Sequence, residues 1–154
     1  VEERQRMKAK VVSWSSPSRI EMEKRILVVH SDPSFREELT AILVREGYHV
    51  KRVSNASAAI GSICAHRPPL LLLESNFPDR NAHAGGVAWD NFLVMSWAGR
   101  FNPGGAIPFI ALSTNGDSKD RDRALESGAM GFLTTAAPAH EVLGVVGRAF
   151  CLAK

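Results

Sequence analysis

Five short apolar segments alternating with stretches of helical period predict an α/β protein. Its expected architecture is a three-layer α/β/α sandwich around a five-stranded, doubly wound parallel sheet. Three observations carry this expectation. The apolar segments are rich in valine, isoleucine and leucine without polar alternation, as in strands covered on both faces. Turn and cap residues, among them Asp32-Pro33, Gly47, Pro68-Pro69 and Gly128, separate them from the helical stretches. Each pair of strands is also separated by enough chain for the crossover that parallel pairing requires.

Residues 1–24 read as a charged, flexible leader or linker, with the turn-rich Ser15-Ser16-Pro17-Ser18 and no sustained apolar period. Met22 is a candidate native start. The domain is expected over residues 25–154. Ile26-Leu27-Val28-Val29 is the first strand, and Asp32 then caps a helix whose first position is Pro33. Phe35, Leu39, Ile42 and Leu43 share one face of that helix, and Gly47 ends it. Tyr48 to Val53 is the second strand. Ala56 to His66 is the second helix, with Ile60, Ile63 and Cys64 expected to face inward, and Pro68-Pro69 stops it. Leu70-Leu71-Leu72-Leu73 is the most hydrophobic strand and belongs at the sheet centre.

A polar loop with Pro78 and Gly85-Gly86 follows, then a helix from about Val87 to Gly99 and a second loop from Asn102 to Ile107. Phe109 to Leu112 is the fourth strand, and a charged helix from about Ser118 to Ser127 ends at Gly128. Gly131 to Thr134 is the fifth strand and Pro138 to Leu152 the last helix. Gly144 and Gly147 weaken that helix by about 1 kcal/mol each relative to alanine, which points to a close approach by the sheet or another chain. The whole order is flavodoxin-like.

Composition narrows the function classes. Hydrophobic residues are 45% and charged residues 23% of the 154, the balance of a globular domain. The net charge of +3 belongs to the first 25 residues, which hold seven basic and four acidic groups. Residues 26–154 hold twelve of each, so the folded part has no basic groove for nucleic acid. No apolar run is long enough for a membrane span or a signal peptide, and a cytoplasmic location is expected. Cys64 and Cys151 lack metal-ligand or redox spacing and read as small buried hydrophobes. GxGxxG, GxxxxGK[ST] and GxSxG elements are absent, so neither a cofactor nor a catalytic residue is expected.

In a sheet of this kind ligands bind beyond the carboxyl ends of the strands. Those tips carry His30-Ser31, Glu74, Ser113-Thr114 and Thr135. Arg25-Ile26-Leu27-Val28-Val29-His30-Ser31-Asp32-Pro33 resembles the opening of bacterial two-component receiver domains. Leu70 to Asp79 resembles their phosphoacceptor strand and loop, and Arg123 to Ala129 with Phe132-Leu133-Thr134 resembles their fourth helix and fifth strand. The resemblance spans about Arg25 to Ala149. It implies a Mg²⁺-binding acidic pair at His30 and Ser31, a phosphoacceptor at Glu74, a hydroxyl at Ser113, a lysine at Thr135 and a switching aromatic at Phe132. The chain keeps only the hydroxyl and the aromatic.

The departures have a chemical consequence. Mg²⁺ dehydrates reluctantly and favours carboxylate oxygens, so a histidine and a serine in place of the pair form a poor cage. Without metal or lysine, phosphotransfer to Glu74 would deliver negative charge with little compensation. The chain therefore resembles a degenerate pseudo-receiver that needs no metal or cofactor. It is expected to act without enzymatic activity, through a protein partner or self-association, and not through nucleic acid or membrane.

Two readings of Glu74 compete: it imitates a phosphorylated aspartate by reaching toward Ser113, or it simply bonds to His30 or Ser31. A pairing with His30 would raise that histidine's pKa. Phe132 is either a switch or strand-end packing. Candidate partner contacts are Trp89, Met95 and Trp97 on the apolar middle helix and Val145, which lies off the inward stripe of the last. Two alternative functions stand beside this one. One is unconventional phosphorylation at Glu74 or Ser113, and the other is a regulatory fragment whose effector domain, for example a DNA-binding one, lies outside the chain.

Overall fold

The computed structural model describes residues 24–74, 107–114, 116 and 118–152. Most of the expected leader lies outside them, as do the loop with Pro78, Gly85 and Gly86 and the helix carrying Trp89, Met95 and Trp97. Within them the chain runs β1 (Arg25–Val29), α1 (Pro33–Arg45), β2 (His49–Val53), α2 (Ala56–His66), β3 (Leu71–Glu74), β4 (Phe109–Ser113), α3 (Ser118–Glu126), β5 (Gly131–Thr134) and α4 (Ala139–Leu152). The five strands form one parallel sheet in the order β2-β1-β3-β4-β5, so the leucine strand lies at the centre as expected.

Local chemistry sets the helix ends. The Asp32 carboxylate accepts the Ser34 N–H at 3.0 Å and Pro33 opens α1. Gly47, with φ +99°, turns the chain out of it. The Asn55 side chain accepts the Ala58 N–H at 2.8 Å to start α2. That helix ends on Arg67, whose φ of 45° precedes Pro68.

Alternation along the strands divides the core in two. Leu27, Val29, Leu71, Leu73, Phe109 and Ala111 pack with Ala59 and Ile63 of α2 and Ala124 of α3. Ile26, Val28, Val50, Leu72, Ile110, Leu112 and Leu133 pack with Leu39 and Leu43 of α1 and Val142, Val146 and Ala149 of α4. Each set of side chains covers one sheet face, which is why the central strands are apolar at every position.

The helices differ from expectation in rotation rather than position. Ile63 is buried, but Ile60 is 41% exposed and Cys64 is exposed, while Ala59 and Ser62 turn inward. The helical period allows either stripe, and the small Ala59 suits the side packed against the first core. In α1 the fully buried face is Leu39, Thr40, Leu43 and Val44, with Phe35 half-buried. Cys151 is also exposed, because the buried stripe of α4 passes through Val142, Val146 and Ala149. Phe150 instead stacks on Tyr48 with ring centroids 5.3 Å apart.

Close approach occurs on the strand side of this layer. A methyl group at Gly144 or Gly147 would meet nothing within 4 Å, so neither glycine is required by contact with the sheet. At Gly131 it would lie 3.0 Å from Val145 Cγ1. Gly131→Ala is therefore expected to cost about 1–2 kcal/mol through overpacking. Urea unfolding of Gly131→Ala, Val145→Ala and the double variant should show the alanine at 131 better tolerated once Val145 is trimmed. Simple additivity would contradict this.

Candidate functional site

The parallel registers bring the tips of β1, β3, β4 and β5 to one edge of the sheet, since Val29 lies opposite Leu73, Glu74 opposite Leu112, and Ser113 opposite Thr134. His30, Ser31, Glu74 and Thr135 line an open cleft of about 410 Å³ there, with Asp32, Ser34, Phe35, Glu38 and Thr114. Four of the expected positions are thus brought together. Ser113 is buried at the end of β4, and its carbonyl accepts the Thr135 N–H at 2.9 Å; its neighbour Thr114 lines the cleft. Phe132 packs against the first core, and Val145 is half-buried beside Gly131 on another surface.

Glu74 is the anchor of the cleft. Its side chain is buried at the end of the central strand, where an ionised carboxylate needs strong donors. Ser31 supplies two, its N–H at 2.9 Å to Oε2 and its hydroxyl at 2.8 Å to Oε1. This clasp fixes the first residues after β1 against β3. Of the two expected pairings, the one with Ser31 is a direct hydrogen bond; His30 Nε2 stands 3.9 Å from Oε1, beyond hydrogen-bond reach.

His30 is held from several sides. Its Nδ1 accepts the Asp32 N–H at 3.1 Å, so the neutral ring carries its proton on Nε2, a buried atom without a hydrogen bond. The ring meets Phe35 at a centroid distance of 4.5 Å, and Arg36 Nη1 donates to the His30 carbonyl at 2.8 Å. Glu74 does pull the His30 pKa upward, as a pairing would, but the net shift is downward. Burial pushes the imidazole below its ordinary value, outweighing the attraction of Glu74 and Asp32, and Arg36 adds to the depression.

The donor set does not suit Mg²⁺. Ser31 already engages both oxygens of Glu74, and one oxygen of Asp32 caps α1. Among the described residues, no three His, Cys, Asp or Glu side chains gather into a metal-holding group. Sequence reasoning placed Thr114 at the strand tips but missed Phe35, Glu38 and the Arg36 clamp as parts of the site. The spacing from Ser34 to Glu38, one helical turn, is the signal that could have placed Glu38 at the cleft.

The matches to known proteins agree with this geometry. Residues 26–145 match the response regulator receiver domain, and the chain belongs to that family. It is 35% identical over 108 residues to the DNA-binding response regulator MtrA of Mycolicibacterium smegmatis, covering 70% of this chain and 42% of that protein. It is 30% identical over 128 residues to a 14.6 kDa protein of Leptolyngbya boryana, covering 83% of this chain and 90% of the relative. The signal receiver domain of a histidine kinase from Syntrophus aciditrophicus superposes with a TM-score of 0.68 at 27% identity, over 85% of this chain and 92% of that one. These relations establish a receiver domain of two-component signalling with a flavodoxin-like fold. No helix among the described residues is long and apolar enough to cross a membrane.

The lowered His30 pKa has a measurable consequence. The folded state binds fewer protons than the unfolded chain between the depressed value and the ordinary 6.5. Stability is therefore expected to be complete above that pH and to fall as pH drops through it. His30→Asn, which keeps an acceptor near the Asp32 amide, should flatten this slope in urea unfolding between about pH 5 and 7. An unchanged slope would show that His30 is not its source.

Proposed function

We propose that this receiver domain transmits signals without phosphotransfer, through a protein partner or a second copy of itself. The observation that carries the reading is the occupation of the Glu74 carboxylate by Ser31 in a cleft whose described lining contains no lysine or arginine. A phosphoryl group on Glu74 would take one of the two oxygens that Ser31 engages and place further negative charge beside Asp32 and Glu38. Nothing in this role requires a cofactor or catalytic residue, and a cytoplasmic setting suits it. Its interactions are with protein rather than with nucleic acid or membrane.

The receiver resemblance favours the surface of α3, β5 and α4 for self-association. There Met130, Phe132 and Val145 line a hollow of about 220 Å³ between Arg121 and Arg148. Trp89, Met95 and Trp97 remain candidate contacts by their residue types. A second reading, a regulatory domain joined to an effector, is favoured by one fact: the chain spans about two fifths of the length of MtrA, itself a DNA-binding response regulator.

Acetyl phosphate or beryllofluoride with Mg²⁺ should leave the intact mass and the amide spectrum around Glu74 unchanged. Combining His30→Asp, Ser31→Asp, Glu74→Asp and Thr135→Lys restores the acidic pair, acceptor and lysine that the resemblance implies. It should raise the phosphorylated fraction from background to a readily measured, near-stoichiometric level. A stoichiometric adduct on the unaltered chain, at Glu74 or Ser113, would overturn the proposal.

A further inference from the structure

We propose that the strand-tip cluster is a proton-operated device: a second proton on His30 draws Glu74 from the Ser31 hydroxyl to the imidazole and loosens the turn between β1 and α1. Such a response to acid goes beyond the phosphotransfer-free reading and does not depend on it. Its basis is the placement of the two ring nitrogens.

Nδ1 accepts the Asp32 N–H at 3.1 Å, while Nε2 is a buried atom without a hydrogen bond. The neutral ring therefore has an acceptor in use and a donor that lacks a partner. A second proton can enter only at Nδ1, where it turns that acceptor into a donor facing the Asp32 N–H. The bond at Nδ1 is then lost. Asp32 also caps α1 through the Ser34 N–H, so the disturbance reaches the first turn of that helix. At the same time Nε2–H becomes part of an imidazolium 3.9 Å from Glu74 Oε1, about 1 Å beyond hydrogen-bond reach. In a buried site a hydrogen-bonded ion pair outcompetes a bond from a neutral hydroxyl. Oε1 accordingly leaves the Ser31 hydroxyl and closes on the ring, with the Ser31 N–H on Oε2 as the pivot.

The main chain around the ring is pinned. The His30 N–H bonds to the Val53 carbonyl at 3.2 Å, and Arg36 donates to the His30 carbonyl at 2.8 Å. The response is therefore confined to side chains and to residues 31–34. Charged groups face the imidazole from β3, the turn and α1: Glu74 and Asp32 favour the second proton, and Arg36 opposes it. Glu38 of α1 lines the same cleft, to which the ends of β4 and β5 contribute Thr114 and Thr135, and Phe35 lies against the ring at 4.5 Å. Among the described residues none of these groups belongs to a metal-holding cluster. Burial holds the imidazole below its ordinary value, so the Ser31 clasp is intact at neutral pH and is released as pH falls below the ordinary 6.5.

The test is NMR of the isotope-labelled full chain between about pH 8 and 5, reading ring-nitrogen shifts, backbone amides and the Glu74 carboxyl carbon. At the upper end the ring is expected as the Nε2–H tautomer. As His30 takes its second proton, the Ser31, Asp32 and Ser34 amides and the Glu74 carboxyl carbon should shift with the same midpoint. Glu74→Gln should move that midpoint to lower pH and abolish the coupled Ser31 shift, since a neutral amide has no charge to follow the imidazolium. Asp32→Asn, which still caps α1, should lower the midpoint and keep the Ser31 shift. His30→Asn should remove the transition at all these positions. An Nδ1–H tautomer, Ser31 or Asp32 amides that do not follow the ring, a midpoint unmoved by Glu74→Gln, or unfolding before any local change would each overturn the device. None of these outcomes touches the phosphotransfer-free reading, which acetyl phosphate tests separately.

Discussion

The clasp between Glu74 and Ser31 is the constraint on which the rest of the site depends. A carboxylate at the end of a strand buried on both faces is costly unless it is well paired, and two short hydrogen bonds from one residue provide much of that pairing. Because one of those donors is the Ser31 backbone N–H, the bond fixes main chain as well as a side chain. The next residue caps α1 and donates its own N–H to His30. Position, helix start and imidazole tautomer therefore follow from the same few atoms.

This arrangement bears on the proposed phosphotransfer-free role. A switch responds to a ligand only by as much as that ligand binds one state better than another. With Glu74 held by Ser31, a phosphoryl group gains its contacts only after displacing existing ones. On the proposed reading, the side chains at the strand tips therefore oppose the phosphoryl chemistry of the family.

Much of the fold was legible because its signals are local. Asp32-Pro33 and Gly47 mark helix ends through a single hydrogen bond or one backbone angle, and the four leucines before Glu74 mark the central strand. The rotation of α2 was not legible. Ile60, Ile63 and Cys64 form as plausible a stripe as Ala59, Ser62 and Ile63, and only packing against the sheet selects between them. The same limit applies to the site. Strand order brings His30, Ser31, Glu74 and Thr135 together, but the sign of the His30 shift depends on burial exceeding the pull of two carboxylates. That is a contest of magnitudes, and residue identity alone does not decide it.

The backbone accounts for an ordinary receiver fold carrying side chains that differ from the set the resemblance implies. Thr135 presents no ammonium group, and its N–H bonds to the Ser113 carbonyl, continuing the register of β4 and β5 past their ends. The His30 N–H likewise bonds to the Val53 carbonyl. Neither bond depends on the side chain of its donor. The sheet therefore delivers these positions to one cleft whatever their side chains are, and exchanging the side chains changes what the cleft attracts without removing the scaffold that builds it.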